Sequence, residues 1–165
     1  ANNVKRALFV DKPSYHDDKG RRIARVEPAG WLIRSVVPEV TRQIRGEDAR
    51  RNSRRYLDEF GFRAMLELAS KYNLMAEERG DLELRYAGEG EVGGRPTHVI
   101  VRYLPYRGPS GPYPDAKLVL HIDREWLLPT AIYSYADREG TKLLGSYVMV
   151  DVKLNPGLTD RDFDF

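Results

Sequence analysis

Ala116-Lys117-Leu118-Val119-Leu120-His121-Ile122 is the stretch that decides the fold. Ala116, Leu118, Leu120 and Ile122 recur at every second position, with Lys117 and His121 between them. A period of two belongs to a β-strand that turns one face to a core. The pattern repeats on either side. In residues 81–86, Leu82, Leu84 and Tyr86 oppose Glu83 and Arg85, and residues 97–104 read as a further strand. Residues 130–135 and 142–154 follow, joined by Ala136-Asp137-Arg138-Glu139-Gly140, a hairpin loop carrying glycine. At ~3.3 Å per residue the last segment would run about 43 Å, enough to bend around a curved sheet. Glycine-rich residues 88–94 read as a connection, and proline-rich residues 105–115 as a loop. Short strands joined without alternating helices mean an antiparallel sheet.

Upstream, residues 4–10 and 22–27 form a second strand pair around the turn signal His16-Asp17-Asp18-Lys19-Gly20. Residues 31–37 are a short apolar run ended by Pro38, and residues 40–44 read as another short strand. The period then changes. Phe62, Met65, Leu66, Ala69, Tyr72 and Ala76 fall on one stripe of a helix that Gly80 stops. The expected class is therefore mainly β (α+β): a curved antiparallel sheet with one or two helices over one face.

Composition narrows the function classes. The 165 residues are 41% hydrophobic and 32% charged, which suits one folded domain spanning 1–165. The net charge is only +2 and the signs are interleaved, so a nucleic-acid partner is not expected. There is no cysteine, which removes disulfides, zinc–thiolate sites and cysteine nucleophiles. No stretch reaches the ~20 apolar residues of a membrane span. Residues 1–6 carry no signal peptide and run straight into a strand-like segment.

The order of the C-terminal half is more specific than its parts. Leu118-Val119-Leu120-His121-Ile122-Asp123-Arg124-Glu125 leads to Leu128-Pro129, then Ile132-Tyr133-Ser134-Tyr135, a turn and a long strand. Leu154-Asn155-Pro156-Gly157-Leu158-Thr159-Asp160-Arg161-Asp162-Phe163 closes it, and Arg54-Arg55-Tyr56-Leu57-Asp58-Glu59-Phe60-Gly61-Phe62 precedes the helix. From residue 31 onward this succession resembles the LolA-like superfamily of outer-membrane lipoprotein carriers. Within or near that group it is most similar to a bacterial family of unknown function. The resemblance implies a half-open β barrel, or clam, with helices over the concave face and an apolar interior for acyl chains. It also implies export, to the periplasm or the cell envelope. Such proteins open with a helix and strands not seen here, so the N-terminal part of the domain is expected to be missing.

Candidate sites follow from residues and resemblance together. Tyr133, Tyr135, Tyr147 and Met149 share one sequence parity, and with Phe62, Met65, Leu66 and Ala69 of the helix they are the expected lining of an apolar cavity. Ile132, Leu144, Val148, Val150 and Val152 make the other parity apolar too, so both faces need cover. Helix packing is the plainer source of that cover, and a ligand the alternative. Arg42, Arg45, Arg50, Arg51, Arg54 and Arg55 outweigh Glu47 and Asp48. Arg50, Arg51, Arg54 and Arg55 are the candidate contact for an anionic group, against the plainer reading of a solvated surface. His98, His121 and Asp123 would hold a metal only if the fold gathered them, and none is expected. The paired acids sit in turns, at a helix end or in the tail, and Gly88-Glu89-Gly90 does not open a helix. The expectation is thus a protein without enzymatic activity, cofactor or metal that carries lipid or lipoprotein acyl chains. The alternative is a protein-interaction module whose clam is filled by its own side chains. The sequence does not give the oligomeric state.

Overall fold

The computed structural model describes residues 4–10, 12–52 and 56–163. The chain divides into two compact units, Ala1–Phe60 with Asn155–Phe165, and Gly61–Leu154.

In the first unit, β1 (Val4–Leu8), β2 (Ile23–Pro28) and β3 (Val40–Gln43) make an antiparallel sheet in the order β1-β2-β3. Its core is small: Ala24, Val26 and Ile44, with Phe9, Val40, Tyr56 and Leu57 packed around them. The apolar run at residues 31–37 becomes a short helix, α1 (Trp31–Val36), between β2 and β3. A second short helix, α2 (Glu47–Asn52), follows in the polar stretch. At the C-terminal end, Thr159 donates from its N–H and its hydroxyl to Asp162 Oδ2, at 2.6 and 2.9 Å.

The second unit opens with α3 (Phe62–Glu78). It ends where the sequence places the stop. The N–H of Gly80, at φ +70°, donates to Glu77 O, and the N–H of Asp81 to Ala76 O. These two bonds satisfy carbonyls that the helix end would otherwise leave open. Five antiparallel strands follow in chain order: β4 (Glu83–Val92), β5 (Arg95–Tyr103), β6 (Lys117–Asp123), β7 (Pro129–Tyr135) and β8 (Leu143–Val148). Gly93 of the β4–β5 turn lies against Val150, beyond β8; a Cβ there would stand 3.2 Å from Val150 Cγ1. The two edge strands thus approach at one end, and the sheet is curved and open, with α3 across one face.

Two strand limits differ from the sequence reading. Residues 88–92 belong to β4 rather than to a connection. A bulge between Tyr86 and Gly88, with Gly88 at φ +98°, lets the glycine-rich stretch keep pairing with β5. The last strand stops at Val148 instead of reaching Leu154. Met149 N–H still reaches Thr130 O, but Asp151 adopts φ +54°, which strand backbone does not permit.

Candidate functional site

Register decides which side chains meet. Ile132 of β7 lies opposite Tyr147 of β8, and Leu120 of β6 opposite Ile132. Tyr147 therefore shares the α3-covered face with Leu118, Leu120, Ile132 and Met149. Tyr133 lies opposite Ser146 and Val119 and points to the other face, as does Tyr135. The proposed aromatic set is thus divided between the two sides of the sheet. Sequence parity fails across strands because the partner's alignment, not its numbering, sets the face.

On the covered face, Met65 of α3 is 2% exposed and packs on Leu118, Leu120 and Ile132. Ile122 and Met149 close the cluster at its edge. Phe62, Ala69, Tyr147 and Met149 are each half-buried. Leu66 is not part of this interior. It is 41% exposed and, with Ser70, Leu74 and Met75, lines an open groove of about 670 Å³ on α3. One residue on from Met65 turns the side chain about a hundred degrees around a helix of 3.6 residues per turn, away from the sheet.

Beside Met65's cluster the same face holds a charge that sequence reasoning missed. Arg102 of β5 is 2% exposed. Its Nη2 donates to both carboxylate oxygens of Asp115, at 2.9 and 3.2 Å, and its Nη1 donates to Asn73 Oδ1 of α3 at 3.0 Å. Ser134 Oγ adds a third hydrogen bond to Asp115, at 3.0 Å. The arrangement ties α3, β5, β7 and the segment before β6 together. Its signal in the sequence is an arginine inside the apolar run of residues 99–104.

The opposite face carries its own polar cluster. Thr97 Oγ1 and His121 Nδ1 are 3.0 Å apart, and the His121 ring meets Tyr133 edge-on at 5.9 Å. Burial lowers the His121 pKa below its ordinary value. A Cβ on Gly90 would come within 2.9 Å of Val99 Cγ2 and 3.2 Å of the His121 ring, so only glycine fits there. Asp123, fully buried, accepts from Arg95 Nε at 2.6 Å and Nη2 at 3.1 Å, and from the N–H groups of Glu125 and Trp126. The Arg95 hydrogen bonds above all hold its carboxyl far below the usual carboxylate range. The Arg95 guanidinium in turn lies 3.5 Å from the Trp126 ring centre. Tyr135 sits farther along, 5.9 Å from Lys117 Nζ, which lies equally far from Tyr103.

The histidines do not converge. His98 lies opposite Ile122, which puts it on the α3 side beside the Tyr86 hydroxyl, across the sheet from His121. Among the described residues no group of three metal-ligating side chains forms.

In the first unit, Arg45 reaches Asp58 and Glu59 and lies 5.2 Å from the Tyr56 ring, and Arg51 pairs with Glu47 at 3.6 Å. Arg21, Arg22, Gln43 and Arg45 line a hollow of about 250 Å³, with Asp17, Asp58 and Glu59 balancing the arginines. Of the candidate anion contact, Arg54, Arg55 and the side chain of Arg50 lie outside the described residues.

What this geometry defines is a pair of small antiparallel β units, the larger one with a single helix packed across part of one face. The chain belongs to the family described as "Protein of unknown function (DUF1571)", which matches residues 14–165. That match bears out the resemblance to a family of unknown function and does not extend to the lipoprotein carriers. Among curated proteins, none matches the chain. No helix among the described residues is long and apolar enough to cross a membrane.

Proposed function

We propose that this chain is a non-catalytic docking module: its sheet–helix layer is filled by its own side chains, and it meets its partner through its surface. The observation that carries this reading is the seat of Met65, 2% exposed on Leu118, Leu120 and Ile132, where a carrier would need room for an acyl chain. The buried Arg102–Asp115 pair argues the same way. Lifting α3 to admit a ligand would strip Arg102 of Asn73 and expose or strand a charge held in a low-dielectric layer. The buried carboxylate of Asp123 and the half-buried ring of His121 are both engaged in structure. Asp123 is committed to Arg95 and two N–H groups, and His121 to Thr97.

A carrier of the LolA-like type, exported to the cell envelope, is the second reading. Half-buried Tyr147 and Met149 favour it: Met149 packs at the edge of the Met65 cluster and Tyr147 lies opposite its Ile132, where an adaptable apolar rim would stand. Native mass spectrometry of the protein isolated from its host separates the two. The docking reading expects the mass of the bare chain, and a retained lipid mass would favour the carrier.

A further inference from the structure

The two edges of the five-stranded sheet are built differently. β4 and β8 are its end strands, each paired on one side among the described residues. An edge strand offers a row of N–H and C=O groups that another strand can join, and proteins blunt it with charges and bulges. β4 is blunted in both ways. Glu83, Arg85, Glu89 and Glu91 punctuate it, and its register shifts between Tyr86 and Gly88. β8 is bare along most of its length. From Leu143 to Val150 the run Leu-Leu-Gly-Ser-Tyr-Val-Met-Val holds no charge and no proline. Its pairing with β7 is irregular only at its start, between Leu143 and Gly145. Leu143 is 56% exposed and Val148 46%.

The ladder tells which backbone groups are open. In an antiparallel pair they turn to the neighbour at every second residue. Met149 N–H donates to Thr130 O, in register with Tyr147 opposite Ile132. Gly145, Tyr147 and Met149 therefore turn their backbone to β7, and Ser146 and Val148 turn theirs outward. What satisfies such a row is an extended backbone, so the occupant that fits this edge is a β-strand.

The sequence of β8 fits its own reverse. With two copies antiparallel about Ser146, Leu144 stands opposite Val148 and Leu143 opposite Met149, which pairs apolar side chains. Gly145 stands opposite Tyr147, and an aromatic ring covers the backbone that a cross-strand glycine leaves bare. Lys142 before the strand comes toward Asp151 after it. Both are exposed, and neither holds an ion pair among the described residues. Parallel copies would set like charges together instead.

We infer that β8 is a self-association edge: it pairs with β8 of a second copy of this chain, antiparallel about Ser146, and joins two five-stranded sheets into one. The inference deepens the docking reading by naming a partner, yet it depends on β8 alone. A lipid found under α3 would overturn the docking reading and leave this result standing. One pair of short strands buries less than the ~1,200 Å² of a stable interface, so the association is weak and reversible.

The test is sedimentation velocity of the full chain over a roughly hundredfold range of concentration, reaching the weak-binding regime. The chain is expected to pass from monomer to dimer. Ser146→Lys sets two like charges opposite each other and is expected to weaken the dimer about tenfold, as is Ser146→Glu. Ser146 is exposed, so the thermal melt of either variant should match the parent. An equimolar mixture of the two variants is expected to dimerise where each alone does not, since it sets opposite charges at the two-fold. A monomer at every concentration would overturn the inference and leave the edge to a strand of another protein. A dimer that Ser146→Lys does not weaken, or that mixing does not restore, would overturn it as well.

Discussion

Met65 of α3 and Ile132 of β7 bury each other: each is 2% exposed, and they belong to one cluster with Leu118 and Leu120. On the docking reading, the side chain of Met65 takes the place between sheet and helix that a carrier would leave to its ligand. Met65→Ala removes that fill and should destabilise the second unit by about 2–5 kcal/mol, the usual range for emptying a packed core site. Leu66→Ala, one residue on and facing solvent, should stay within about 0.5 kcal/mol of the parent. Denaturant melts of both variants measure the contrast.

Leu120 and Lys117 test the register of β6. Leu120→Asp puts a carboxylate under Met65 and should unfold the second unit or cost it several-fold more stability than Lys117→Asp, whose side chain points to the other face. Equal shifts in Tm would mean that the faces of β6 are assigned wrongly.

Asp115→Ala leaves the Arg102 guanidinium buried without its counter-charge. The expected cost is about 3–5 kcal/mol, the price of breaking a buried pair from one side. Replacing both partners, Arg102→Met with Asp115→Leu, should recover much of it, because two uncharged side chains no longer need each other. A double-mutant cycle in denaturant reads the coupling.

His121 gives the second unit a pH dependence with a definite sign. Burial lowers its pKa in the folded state below the ordinary 6.5, so the unfolded chain takes up a proton first as pH falls. Its contribution is complete above that ordinary value and is lost as pH drops below it toward the folded value. Melts across the mildly acidic range should therefore show stability rising with pH, and His121→Asn should flatten that slope. Gly90→Ala, which drives a methyl at the His121 ring and Val99, should lower stability at every pH.

Five strands of the larger sheet were legible from the period-two pattern at residues 81–86 and 116–122, from the short apolar segments beside them and from the loops between, and α3 because its stripe and its glycine stop agree. Their faces were not legible. Tyr133 and Tyr147 have the same parity, yet Tyr147 opposes Ile132 and Tyr133 opposes Ser146, and no single-strand pattern contains that alignment. Glycine misled in residues 88–92, where it reads as a breaker but serves to make room for His121. Arg102 drew no reading from the sequence, because its partner Asp115 stands thirteen residues away and only the fold brings it near. Residues 31–37 were legible as an apolar run, but not that they form the short helix α1 with Trp31 and Val36 exposed.

The claim that the sheet–helix layer is filled is tested most directly by titrating the intact protein with an environment-sensitive fatty-acid probe, in parallel with Tyr147→Glu. A filled layer predicts that any signal is identical in the two proteins, because whatever the probe meets lies elsewhere, α1 included. A saturable one-to-one rise in the parent, lost in Tyr147→Glu while its melt is unchanged, would contradict the account and establish an acyl-binding interior under α3.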